Sequence, residues 1–234
     1  MSNKRLSRIE SSQSVAFAAQ IEQRRREGHH VLSLAIGEIP EAPPDFIVEA
    51  TERALREGKT QYSSVQGELK LRELISIKLQ TENAVKVSPE QIIIGNGSKQ
   101  ILYSLMQIIC NEGDEVIVPA PYWVTFTEII KLAGGNPVLI SSNELSLDIE
   151  KIKQAITPRT KAVIINSPNN PSGKVYAKSD VEKLVELTQQ RGIYLISDEA
   201  YEQFVYEGEH ISPASIDPTL ENILTVQSFS KSFC

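Results

Sequence analysis

Cysteine is scarce: Cys110 and Cys234 are the only two in 234 residues. Two thiols make no disulfide framework and fit a reducing compartment. Long apolar runs are also missing, none approaching the roughly 18 residues that suggest a membrane span. The opening Met1-Ser-Asn-Lys-Arg5 lacks the apolar stretch of a secretion signal, so the expected location is cytoplasmic. Positive charge is not in excess: the net charge is −6, which leaves no electrostatic footprint for nucleic acid. Internal repeats and low-complexity tracts are absent, and no metal is expected. What remains is a chain 41% hydrophobic and 23% charged, ordinary for one globular domain or one and a half.

Residues 1–30 are polar, with basic clusters at Lys4-Arg5 and Arg24-Arg25-Arg26, and Val15–Ile21 could form a short helix. An arm packed on a neighbouring surface is the plain reading; interspersed acidic residues weigh against a nucleic-acid arm. Val31–Ile36 alternates like a strand and is followed by Gly37. Pro43-Pro44 ends that segment, and helices are predicted over Asp45–Glu57 and Glu68–Thr81, the second turning Leu71, Leu74, Ile75 and Leu79 inward. From Ser88 onward the pattern alternates. Strands are expected at Gln91–Ile94, Glu115–Val118, Pro137–Ile140, Lys161–Asn166, Ile193–Ser197 and Ile223–Val226. Helices fall between them: Ile101–Ile109, a helix opened by Pro119–Trp123, one capped by Asp148, and one begun by the capping box Ser179–Glu182. Six strands with intervening helices predict an α/β domain with a mostly parallel sheet, and residues 1–87 belong to a different, mainly helical layer.

Open α/β sheets bind ligands beyond the carboxyl ends of their strands. This sequence keeps its polar oddities at those ends. Gly95-Asn-Gly97-Ser98-Lys99 joins a strand to a helix and offers backbone N–H groups to an anion, although a purely structural turn looks the same. Asn170 sits in a Pro- and Gly-fixed turn that could aim its side chain or simply need a turn former. Asp198 follows an apolar strand and is either a cap or the partner of a buried cation. Tyr201 would lie on the same side if the segment is helical. Trp123, the only tryptophan, is either core or a flat platform for a ligand. Lys231 follows the last apolar strand in an uncharged setting, where desolvation favours a neutral, nucleophilic amine. An anion cradle, a flat aromatic, Asn, Asp, Tyr and an activatable Lys are together what pyridoxal 5′-phosphate requires: an amine for its aldehyde, a carboxylate for its ring nitrogen, an anion site for its phosphate.

These motifs resemble the fold-type I pyridoxal-phosphate enzymes, specifically the class I and II aminotransferases of the aspartate aminotransferase group. The resemblance is carried in order along nearly the whole chain by Tyr62 with Gly67, Gly97-Ser98-Lys99-Gln100, Pro121-Tyr-Trp123, Ser167–Gly173, Asp198-Glu-Ala-Tyr201 and Ser228-Phe-Ser-Lys231-Ser-Phe. It implies a three-layer α/β/α large domain over residues 46–234, preceded by an arm and partial small-domain segment over 1–45. By the same resemblance Lys231 would hold the cofactor as a Schiff base and then move the substrate Cα proton. Asp198 would keep the ring nitrogen protonated, and Asn170 and Tyr201 would bond the phenolic oxygen. Trp123 would stack on the ring, and Gly97, Ser98, Lys99 and Ser228 would line the phosphate site. Tyr62 would reach the phosphate of the other subunit of a homodimer. Gly37, with Trp123 and Asn170, would face the substrate. The implied reaction moves an amino group from an L-amino acid, aspartate or aromatic, to a 2-oxo acid.

The family continues past the lysine with an arginine for the phosphate and another for the substrate carboxylate, and this sequence stops before both. The expectation is therefore a truncated aminotransferase with its C-terminal small domain absent, weakly binding and impaired in turnover. The strand Gln91–Ile94 would lack its neighbour on one side. Other chemistry on the same cofactor, such as a β-lyase reaction, stays open, as does an inactive structural fragment. A regulator fused to a DNA-binding domain would need an upstream module that some 30 polar residues cannot supply.

Overall fold

The computed structural model describes residues 5–10, 13–33, 37, 39, 41–142 and 145–233. Among the described residues five strands form one sheet: β1 (Glu115–Ala120), β2 (Asn136–Ser141), β3 (Thr160–Asn166), β4 (Tyr194–Asp198) and β5 (Ile223–Val226). Their order is β2-β1-β3-β4-β5, and every pairing is parallel. Parallel strands covered on both faces read as continuous apolar runs, which is why β1, β3 and β4 were visible in the sequence.

Alternate residues of each strand go to opposite faces. Ile117, Val163, Ile165, Leu195 and Ile223 enter one core, with Leu184 and Val185 of α7 (Lys178–Arg191), Ile152 of α6 (Ile149–Ala155) and Leu79 of α3 (Leu69–Glu82). Val116, Val118, Ala162, Ile164, Ile196 and Val226 enter the other, with Leu102 and Met106 of α4 (Ser98–Ile109) and Phe126 and Ile130 of α5 (Thr125–Leu132). The result is the predicted α/β/α sandwich. Side chains as large as Phe126, Leu102 and Ile117 are sealed from water, each contributing about 1.5–3 kcal/mol by area removed from solvent.

Several expectations need correction. Gln91–Ile94 is no strand of this sheet. Pro89–Gln91 forms a 3₁₀ turn, and the extended residues after it bond Ile94 N–H to the Gln66 carbonyl at 2.9 Å instead of to a ladder. Ile93 is consequently 65% exposed. The helix after β1 starts at Thr125, because the strand runs on through Pro119 and Ala120. The Ser179 capping box does not form: Ala177 occupies the cap position with no side-chain bond, which puts Ser179 inside the first turn. Asp148 does cap α6, accepting from Lys151 N–H at 3.0 Å. Helix α3 does not belong to a separate layer, since Leu79 enters the sheet's core, while Leu74 faces outward.

The predicted strand Val31–Ile36 lies partly outside the described residues, and Val31–Ser33 carries no strand. Helix α1 spans Gln13–Arg26, longer than predicted, and α2 spans Asp45–Arg56 with no buried residue. The segment before α1 docks on its own chain. Arg8 grips Glu112 through two bonds of 2.9 and 2.7 Å, and Glu10 N–H donates to Glu128 at 2.8 Å. Among the described residues no helix is long and apolar enough to cross a membrane.

Gly67 holds the link between Tyr62 and α3. Its φ is +97°, and a Cβ there would stand 2.5 Å from Ile94 Cγ1. Gly67→Ala should therefore lower stability by about 1–3 kcal/mol, from left-handed backbone and overpacking together. Urea unfolding would read this as a lower midpoint at unchanged slope; an unchanged midpoint would mean the loop relaxes freely.

Candidate active site

The strand order reverses between β1 and β3, so the crevice beyond their carboxyl ends is the expected ligand position. The two loops leaving those strands are tied there: Asn169 Nδ2 donates to the Pro121 carbonyl at 3.0 Å. One loop brings Trp123, the other Asn170. The Ala120–Pro121, Ser167–Pro168 and Asn170–Pro171 peptide bonds are cis.

Asp198 ends β4 with 3% exposure. Its backbone carbonyl accepts from Asn166 Nδ2 at 2.9 Å and from Ser167 N–H at 3.2 Å, so β3 holds the end of β4 from the side. The Asn166 Oδ1 accepts from Asn170 N–H at 2.6 Å, extending the same connection to Asn170. Asn166 was not singled out from sequence; the signal available was a polar residue closing an otherwise apolar strand. Asn170 Nδ2 donates to the Tyr201 hydroxyl at 3.3 Å, so these two predicted residues meet. They do so through a turn at Ala200–Gln203, not the helix that sequence spacing assumed.

Lys231 is half-buried beyond β5. Its Nζ donates to the Gly37 carbonyl at 2.9 Å and lies 5.8 Å from the centre of the Tyr201 ring. Gly37 and Lys231, 194 residues apart, thus share one point with Tyr201. Ser228 stands at the start of the same loop, its hydroxyl bonded to Ser230 Oγ at 3.1 Å.

The glycine turn sits at the start of α4. Gly97 is the cap residue with φ +83°, and a Cβ there would meet no atom within 4 Å. The N–H groups of Ser98 and Lys99 lie in the first turn, where no preceding carbonyl of the helix can take them. Lys99 Nζ lies 5.2 Å over the Trp123 ring, whose edge packs against Phe126. Tyr62, by contrast, is fully exposed and touches none of these groups.

Burial pushes the Asp198 carboxyl up to about 7; the neighbouring Glu199 charge adds to this, and a bond from Ala200 N–H at 3.2 Å opposes it. Among the described residues no cation is paired with Asp198. A buried carboxylate lacking its cation fits a ligand that brings a protonated ring nitrogen. Tyr201 is also raised, mainly by burial, with the Asn170 bond opposing and Asp198 assisting.

The class I and II aminotransferase model matches residues 29–234. The chain is 44% identical to a probable aspartate/prephenate aminotransferase of Aquifex aeolicus, covering 98% of this chain and 59% of that protein. It is 42% identical to the aspartate/prephenate aminotransferase of Thermus thermophilus, over 99% of this chain and 60% of that one. The structure of Thermus thermophilus aspartate aminotransferase with maleate superposes with a TM-score of 0.96 at 42% identity, covering all of this chain and 61% of that chain. Rhizobium meliloti aspartate aminotransferase gives 0.94 at 35% identity, covering all of this chain and 60% of that one. The fold is that of an aminotransferase large domain. The chain belongs to the class I and II aminotransferase family. It spans about 60% of the length of the curated relatives it matches.

Because the folded-state value of Asp198 is raised, its ionisation opposes folding. In the ligand-free chain this penalty is absent below about pH 4, grows as pH rises, and is complete above about pH 7. Asp198→Asn should therefore unfold at higher urea than the parent at pH 8, by a margin of a few kcal/mol, and the two should converge near pH 4. Equal offsets at both pH values would assign the difference to packing instead.

Proposed function

We propose that this chain carries the cofactor-binding half of a pyridoxal-phosphate-dependent aminotransferase, which in the whole protein moves an amino group from an L-amino acid to a 2-oxo acid. The observation that carries this reading is the meeting of Lys231, Gly37, Tyr201 and Asn170 at one sheet edge, beside a buried Asp198 that has no cation among the described residues. Pyridoxal phosphate supplies an aldehyde that takes up an amine and a ring that accepts the electron pair left by a broken Cα–H bond.

The residues divide that work. Lys231 Nζ would hold the aldehyde carbon and, once displaced by a substrate amine, carry the Cα proton. Asp198 would accept the ring N–H, and the charge meeting it there would draw the carboxyl to its ionised form. Asn170 Nδ2 and the Tyr201 hydroxyl, already bonded to each other, would converge on the phenolic oxygen. Trp123 would cover the ring face. The backbone of Gly97, Ser98 and Lys99, at a helix N-terminus, with Ser228, would take the phosphate.

The names of the relatives support a dicarboxylic substrate, aspartate, with an aromatic-precursor acid as a second one. A homodimer is part of this proposal. The full exposure of Tyr62 is consistent with a residue that serves a neighbouring subunit. The division into an arm at 1–45 and a cofactor domain at 46–234 is proposed on the same grounds.

Titrating the chain with pyridoxal phosphate tests the reading. A saturable visible band should appear, and Lys231→Ala should abolish it while leaving the far-ultraviolet dichroism unchanged. Asp198→Ala should weaken binding by about tenfold or more, the loss of one charge-assisted bond. A folded chain without the band, or a band that survives Lys231→Ala, would overturn the proposal.

A further inference from the structure

Behind the site lies a second polar cluster that the proposed chemistry does not use. Glu199 has 0% exposure and accepts from Ser197 Oγ at 2.9 Å, Ser212 Oγ at 2.7 Å and Gln227 Nε2 at 3.4 Å. Glu202 accepts from Gln227 Nε2 at 2.9 Å and Asn83 Nδ2 at 2.6 Å, and pairs with Lys78. Lys78 Nζ, on α3, also donates to Asn83 Oδ1 at 2.7 Å and Gln227 Oε1 at 3.4 Å. The Lys78 and Glu202 side chains keep only 26% and 11% of their exposure, so the pair is largely shielded from screening.

The positions of these residues in the chain matter. Glu199 follows Asp198, Glu202 follows Tyr201, and Gln227 precedes Ser228. These three members of the cluster are thus covalent neighbours of candidate site residues. Gln227 spans the two glutamates, and Lys78 spans Glu202 and Gln227 from outside the sheet. We propose that Lys78 is a positioning residue: from α3 it clamps Glu202 and Gln227, and through them it fixes Asp198, Tyr201 and Ser228 against one another. In its consequence for cofactor binding this rests on the function proposed above.

Glu199, Glu202 and His210 bring ligand atoms within 4.8 Å of one another, a spacing that would suit a metal ion. Both oxygens of each carboxylate already face donors, and a cation would have to displace Lys78. The cluster is therefore assigned to positioning. The His210 side chain, 7% exposed and 3.4 Å from Glu199 Oε2, closes its far side.

Amide hydrogen exchange of the cofactor-free chain tests the clamp independently of any cofactor. In Lys78→Met, exchange over residues 199–204 should accelerate by about tenfold or more while Val116–Val118 of β1 stays protected. Lys78→Arg, which keeps a cation in reach of Glu202, should restore most of the protection. Should Lys78→Met fail to fold, Glu202→Gln, which keeps the shape and removes the charge, should show the same local loss. In the pyridoxal phosphate titration Lys78→Met should weaken binding by about tenfold, with recovery in Lys78→Arg. Exchange that rises no more at 199–204 than in β1 would overturn the clamp. Absence of cofactor binding by the parent, with the exchange pattern as expected, would overturn the proposed function and leave the clamp standing.

Discussion

The junction between β3 and β4 sets the geometry of everything beyond it. The Asp198 carbonyl takes two hydrogen bonds from the end of β3, and the Asn166 that gives one of them also receives Asn170 N–H. Parallel strands end in step only if their register is fixed. Here that register runs Ala162 to Tyr194 through Asn166 to Asp198 without a break. A one-residue slip would turn Asp198 to the opposite face and exchange the two cores. The apolar alternation of both strands opposes that slip, so the packing of Ile164, Ile165, Leu195 and Ile196 is what aims the carboxylate.

Two kinds of polar group then share one small volume, and they are treated differently. The Glu199 and Glu202 carboxylates are supplied with donors from the chain itself. Among the described residues, Asp198 next to them has one backbone N–H and no cation. A fold can carry one such uncompensated group because each strand buries many apolar side chains. Leaving a buried carboxylate without a counter-charge lowers stability, and a ligand that brings the charge recovers it.

Much of this was legible in the sequence, for a definable reason. Strand ends in an α/β sheet must be polar where they meet a ligand and apolar elsewhere. Asp198, Asn170 and Lys231 therefore stood out against the apolar runs that precede them. The interior strands were legible because burial on both faces writes itself into composition. The segment Gln91–Ile94 has the same composition, but a strand is defined by a neighbour, and no local pattern encodes that. The Ser179 motif failed because a helix that begins two residues early turns a cap into an interior position. The cluster around Lys78 was illegible for a different reason. Its members come from positions 78, 83, 199, 202 and 227, and only the fold makes them adjacent.

Lys231 hangs from β5, a four-residue strand hydrogen-bonded to β4 alone among the described strands. Short edge strands open most readily in a sheet, since few ladder bonds must break together. The amine is therefore mounted on a strand with one neighbour among the described strands, while Asp198 stands on a strand with two. A molecule joined to Lys231 and also bonded to Asp198 and Asn170 would act as a crosslink across three strands, tying β5 to β4 and to the loop beyond β3. Occupancy of such a site and the order of its outermost strand would then rise and fall as one quantity.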